Sequence, residues 1–275
     1  MKKILFTSAC LLIVFSAVAQ KLPSVQKESL RAPAKLKIDG KSTEWKDGFR
    51  AYNTNTNLFY TLSNDDENLY LVVQSTNAGI NSKILIGGLT FTINISGDKK
   101  DKNGVSLMFP AVSENSKRNA IQGAMASLNS SRAASGADPE LRKKQMDSVS
   151  YELNRKQIDK LKEIRVTGIK AIKDTLISIY NEEGITARAL FENQTTYTYE
   201  LALPLKYLNL SVDNPSEFVY NLTLNGIMSG FGDRAPQIAM MGNGPGRPMM
   251  LGPGGMDIRV LAFPTDFWGK YTLVK

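Results

Sequence analysis

The sequence predicts a mainly β fold, an antiparallel β-sandwich with one helical insertion. Three observations carry this reading. Short β-rich runs recur along the chain, about ten of them, separated by turns rich in Asn, Asp and Gly. Strands do not alternate with helical patterns, as a parallel sheet would require. One block, residues 113–165, exchanges β-branched residues for Ala, Lys, Glu, Gln and Met.

The N-terminus precedes the fold. Lys2 and Lys3 lead into an apolar run from Ile4 to Val18, and Ala17-Val18-Ala19 closes it with small residues. This pattern is expected for a secretory signal peptide, residues 1–19, cut before Gln20. A second reading makes Cys10 a lipoprotein acylation site, but Thr7-Ser8-Ala9 lacks the usual aliphatic residue and the apolar run continues past Cys10. The expected location is periplasmic or secreted, in a bacterial envelope. Residues 20–34, with Pro23 and Pro33, read as a loose leader, and residues 20–275 as a single β-sandwich domain.

Elements follow in order. Leu58–Leu62 and Leu69–Val73 are β-rich runs flanking Asn64-Asp65-Asp66-Glu67-Asn68, whose Asn and Asp side chains suit a hairpin turn. From Leu36 to Phe109 the pattern is strands and turns throughout; Leu89–Ile95 alternates apolar and polar, and another strand runs from Val105 to Phe109. Asp138-Pro139-Glu140 resembles a helix start with Pro in the first turn. Met146, Val149, Leu153, Gln157, Leu161 and Ile164 then form a narrow stripe opposite a basic face carrying Arg142, Lys143, Arg155, Lys156, Lys160 and Lys162. Residues 127–136 read as a loose link between two helical pieces. Leu176–Tyr180 and Ile185–Phe191 flank Asn181-Glu182-Glu183-Gly184, a hairpin signal. Thr196–Leu203 stops at Pro204, Phe218–Ile227 alternates again, and Asp257–Phe263 and Phe267–Val274 supply the last strands. Residues 229–256, rich in Gly, Pro and Met, read as a long irregular loop.

Composition narrows the chemistry. The 275 residues include no His, which excludes His-based triads, His zinc sites and His-ligated haem. Cys10 is the sole cysteine, so a chain cut before Gln20 has no thiol for disulfide, nucleophile or metal. No later apolar run reaches the ~18 residues of a spanning helix, so no membrane span is expected. Removing Lys2 and Lys3 from 34 basic residues leaves 32 against 26 acidic ones, a net charge of +6. Residues 114–173 hold 13 basic and 7 acidic residues, which is the whole excess. The basic balance is therefore local; it suits an acidic envelope partner, and nucleic acid is not expected.

Lys37-Ile38-Asp39-Gly40 followed by Glu44-Trp45, the hairpin Asn64-Asp65-Asp66-Glu67-Asn68-Leu69-Tyr70-Leu71, and Tyr199-Glu200-Leu201-Ala202-Leu203-Pro204-Leu205 together carry a resemblance. The chain resembles the family 9 carbohydrate-binding-module and DOMON-like group over residues 35–110 and 175–275. That implies a β-sandwich in which Asp39, Gly40, Trp45 and Glu200 belong to the structural signature. Trp45 is read as a core anchor, with a ligand platform as the alternative. Haem-binding relatives of the group use Met and His ligands, so that pairing is absent here. No cofactor is expected.

Candidate chemistry is sparse. Asp65, Asp66 and Glu67 suit either calcium or a solvated turn, and Asp98, Asp101 and Asn103 are opposed by Lys99, Lys100 and Lys102. Glu200 reads as a structural carboxylate, or as a catalytic one if its pKa is raised. Five methionines between Met240 and Met256 have no His or Cys nearby, which favours a loop over a copper site. No metal site is expected. The long loop contributes Phe231, Arg234 and Arg247 as ligand-binding candidates, by stacking and bidentate hydrogen bonding, together with Trp268. The expected function is non-catalytic binding, of carbohydrate on the strength of the resemblance. The alternative is an envelope structural or assembly protein that binds another protein; an enzyme ranks third. Exposed aromatics on one sheet face favour sugar, and a large aliphatic patch favours protein. Oligomeric state is not legible.

Overall fold

A computed structural model describes residues 21–45, 48–119, 122, 139–227 and 262–275. The expected signal peptide, the 127–136 link and the 229–256 loop lie outside the described residues. The architecture is mainly β: two antiparallel sheets face each other as a sandwich, with a helical insertion. The five-stranded sheet joins β1 (Ala51–Asn53), β2 (Leu58–Asn64), β3 (Asn68–Ser75), β9 (Tyr197–Pro204) and β8 (Thr186–Phe191) in that order. The six-stranded sheet runs β11 (Thr265–Thr272), β10 (Glu217–Leu224), β4 (Leu89–Asn94), β5 (Val105–Phe109), β6 (Glu163–Thr167) and β7 (Leu176–Ser178).

Alternation explains the core. Tyr60, Leu62, Leu71 and Leu201 of one sheet meet Phe91, Leu107, Tyr220 and Leu222 of the other, all buried. Each contributes roughly 1.5–3 kcal/mol by leaving water. The outer face of the five-stranded sheet is also covered. Residues 32–45 and Phe49 cover it, with Ala32, Leu36, Ile38 and Trp45 packed on Tyr70, Val72 and Ala202.

The leader is not loose. Gln26 is buried and behaves as an extra strand residue: its Oε1 accepts the Leu62 N–H at 2.8 Å and its Nε2 donates to Leu62 O at 2.8 Å. Its own N–H donates to the Tyr60 hydroxyl at 2.8 Å. One amide side chain thus satisfies backbone groups that would otherwise be buried without partners.

Four further expectations are corrected. A helix, α1 (Ala78–Gly87), interrupts the region read as strands; the Asn77 side chain accepts from Gly79 N and Ile80 N, an N-cap. Eight of its ten residues are buried, so no polar face betrays it. The insertion is shorter than 113–165, because α2 (Pro139–Ile158) ends before β6, and Ile164 is a core residue of that strand. Leu161 sits in the turn between them. Within the described end of α2 the less exposed residues are Tyr151, Asn154, Gln157 and Ile158, of which only Gln157 belongs to the expected stripe: Asn154 Nδ2 donates to Ser82 Oγ of α1 at 3.1 Å, and Tyr151 meets Phe191 edge-on. Lys144, Arg155, Lys156, Lys160 and Lys162 stay exposed, as a basic solvated face requires. The turn at 181–184 is not a hairpin. β7 pairs with β6 and β8 with β9, so the chain crosses there from one sheet to the other. Finally, Ala262 and Phe263, the described end of the expected 257–263 strand, lie outside any strand.

Candidate functional site

The sequence signature converges on one carboxylate. Glu200, 0% exposed on β9, accepts from Gly40 N at 2.9 Å and Asp39 N at 3.0 Å through Oε2, and from the Trp45 indole at 2.9 Å through Oε1. Gly40 has φ +85°, and a Cβ there would stand 3.0 Å from the Ala189 backbone, so only glycine fits. Burial lifts the Glu200 carboxyl above its ordinary 4.5, against the pull of its three N–H donors. Trp45 is 8% exposed and fills the cover over the five-stranded sheet. It is a core anchor and offers no platform.

The six-stranded sheet presents a different surface. Phe267, Gly269 and Tyr271 of β11 are buried, so Asp266, Trp268 and Lys270 alternate to the outer face. Register aligns Trp268 with Asn221, Asn221 with Thr92, Thr92 with Ser106 and Ser106 with Thr167. One indole therefore heads a row of amide and hydroxyl side chains across five strands, roughly 19 Å at the usual interstrand spacing. Trp268, Thr92 and Ser106 are half-buried and Thr167 is exposed.

The row is braced. Asn221 Nδ2 donates to Asp266 Oδ2 at 2.7 Å and to Phe267 O at 3.0 Å, while its Oδ1 accepts from the Thr223 hydroxyl. Thr92 and Ser106 hydroxyls share a hydrogen bond of 2.6 Å. Held this way, the side chains keep fixed directions, so ordering them for any contact would cost little freedom.

A basic cleft adjoins the indole. It is an open groove of about 440 Å³ between β11 and residues 25–29, lined by Lys27, Lys99, Glu217, Trp268 and Lys270 among others. Lys99 comes from the β4–β5 loop, where Asp98 Oδ1 accepts Lys100 N at 2.9 Å and Asp101 Oδ1 accepts Asn103 N at 2.8 Å. Those carboxylates shape the turn. The loop sets Lys99 Nζ over the Trp268 ring, 5.9 Å from its centroid. Glu217 pairs with Lys270 at 2.6 Å.

Other candidates are spent on structure or lie elsewhere. Asp65 Oδ1 accepts Glu67 N and Asn68 N, its Oδ2 accepts the Tyr70 hydroxyl, and Asp66 pairs with Arg31. Phe231, Arg234 and Arg247 fall outside the described residues. Sequence reading missed Lys27, Lys99, Asn221, Asp266 and Lys270. One signal was present: Asn is disfavoured within strands, and Asn221 stands in the middle of one.

Comparisons with protein-family models, curated proteins and solved structures find no match.

Proposed function

We propose that the protein is a non-catalytic carbohydrate-binding protein that seats its ligand on the outer face of the six-stranded sheet. The supporting observation is the row from Trp268 through Asn221, Thr92 and Ser106 to Thr167. A sugar has apolar C–H faces and a hydroxyl rim. The half-buried indole of Trp268 suits the face, and the hydroxyls of Thr92, Ser106 and Thr167 suit the rim, with the buried Asn221 amide holding the row in place. The motif resemblance to family 9 carbohydrate-binding modules agrees with this reading. Glu200 has its oxygens occupied by three N–H donors and is shut away from solvent, which favours binding over acid–base catalysis. The expected signal peptide at residues 1–19 is consistent with a binder in the periplasm or outside the cell, where glycans are abundant.

The test is a glycan array on the purified protein, followed by the Trp268→Ala variant. Saccharide binding that Trp268→Ala abolishes, at unchanged melting temperature, supports the reading; a protein that binds no glycan overturns it.

The other reading, an envelope assembly protein, draws on one surface. Tyr180 is 68% exposed beside the edge strand β7, with Leu176 also exposed. Arg188 lies 5.0 Å and Lys162 5.9 Å from the Tyr180 ring centroid. Cross-linking from residue 180 in whole cells tests it: a single protein adduct supports that role, and none removes it.

A further inference from the structure

We infer that the saccharide is anionic, bearing carboxylate or sulfate groups that the cleft beside Trp268 receives. This deepens the carbohydrate reading and rests on it. A neutral sugar needs stacking and hydrogen bonding, which the row already supplies. Cations are an additional feature, and the cleft has three: Lys27, Lys99 and Lys270. Its one acidic wall residue, Glu217, is matched to Lys270 at 2.6 Å. Among the described residues neither Lys27 nor Lys99 has a carboxylate partner, so the walls carry an unbalanced positive charge.

Placement argues against a merely solvated pair of lysines. Lys99 stands over the same indole that would carry the sugar ring. Asp98 and Asp101, its acidic loop neighbours, accept backbone N–H groups of their own turns. A pyranose laid on Trp268 brings its substituents to the Lys99 ammonium, in a cleft that Lys27 also lines. An acidic group there gains charge-assisted hydrogen bonds, stronger than neutral ones. The attraction is between exposed charges, so salt weakens it beyond about 8–10 Å.

Matched oligosaccharide pairs test this by calorimetry: oligogalacturonate and its methyl ester, a heparin octasaccharide and its desulfated form, sialyllactose and lactose. The expected result is that at least one charged member binds about tenfold tighter than its neutral partner. Lys99→Gln and Lys27→Gln should each remove much of that preference and flatten its salt dependence, without moving the melting temperature. The galacturonate and heparin arms separate carboxylate from sulfate. Equal affinity within every pair overturns the anionic inference and leaves the carbohydrate reading standing. Binding to no member of any pair, with a blank glycan array, overturns both. Binding of charged members that survives Trp268→Ala, and is matched by phosphatidylglycerol vesicles, shows general attraction to anions and overturns this site.

Discussion

The indole of Trp45 donates to Glu200 Oε1 at 2.9 Å, joining residues 155 positions apart across the covered face of the five-stranded sheet. The same carboxylate holds the Asp39–Gly40 turn through its other oxygen. Replacing Glu200 by Gln leaves one oxygen for those amides and turns an NH₂ toward the indole N–H, two donors face to face. Glu200→Gln should cost about 1–3 kcal/mol, and Trp45→Phe at least as much because it also removes packing. Because the two are each other's partners, the double variant should fall short of the sum by about 0.5–3 kcal/mol. Additive urea midpoints would show that the contact contributes nothing.

Glu200 also fixes a sign of pH dependence. Its folded carboxyl holds a proton above the ordinary 4.5, so between the unfolded and folded values the folded state binds more protons. Stability contributed by this group therefore declines as pH rises from the ordinary carboxylate range through the folded value, then levels. Melting curves of the wild type and Glu200→Gln across acidic pH should show that decline only in the wild type. A wild-type contribution that rises with pH would contradict the burial argument.

Tyr60 and Tyr220 tie the sheets together through hydroxyls 3.0 Å apart, and Tyr60 alone also accepts the Gln26 N–H. The two Phe variants should therefore differ. Tyr220→Phe loses one bond, about 0.5–1.5 kcal/mol, whereas Tyr60→Phe also strands a buried backbone donor and should cost about 1–3 kcal/mol more. Equal losses in denaturant titrations would mean that the leader contributes no more than a surface strap.

Much of this fold was legible because strands that bury one face write a period of two. β2, β3, β4, β5 and β9 lie within a residue or two of their expected limits, and the Asp65 turn is where its Asn and Asp residues placed it. What failed has a common cause. α1 is buried on nearly all sides, so its period vanished, leaving only Asn77 and the Gly87-Gly88 pair as signals. The crossing at 181–184 looks like a hairpin locally, because turn chemistry does not say which sheet receives the next strand. The site row was hidden for a similar reason: Asn221 and Thr92 become neighbours only through register, and Lys99 only through loop geometry.

Lys83 supplies a second pH signature, in the alkaline range. It is 0% exposed on α1, its Nζ donates to Thr265 Oγ1 at 3.0 Å, and desolvation lowers its ammonium from 10.5 to about 8. Between about 8 and 10.5 the unfolded chain keeps a proton that the folded chain has released, so stability from this group rises with pH; below about 8 its contribution is flat. Lys83→Met should lose that rise. Parallel stability curves for wild type and variant over this range would show that the ammonium is not desolvated.

Gly269 links the core to the outer face that carries Trp268. It lies between Trp268 and Lys270 on β11 and opposite Tyr220 on β10, whose ring lies over it. A Cβ at this position would stand 2.3 Å from Tyr220 Cζ and 2.4 Å from its hydroxyl oxygen, far inside van der Waals contact. Gly269→Ala must push the ring off the strand, disturbing the Tyr60 bond and the β11 backbone that aims Trp268 outward. Overpacking of this kind costs about 1–3 kcal/mol. Shortening the opposing side chain should relieve it: Gly269→Ala with Tyr220→Leu should be less damaging than the two single losses summed, since the methyl then occupies space the ring has left. Tryptophan fluorescence should shift in Gly269→Ala and return toward wild type in the double variant, because Trp268 follows the strand. A Gly269→Ala protein with wild-type melting temperature and fluorescence would show that Tyr220 does not hold β11 in place, and that the indole is positioned by the Lys99 loop instead.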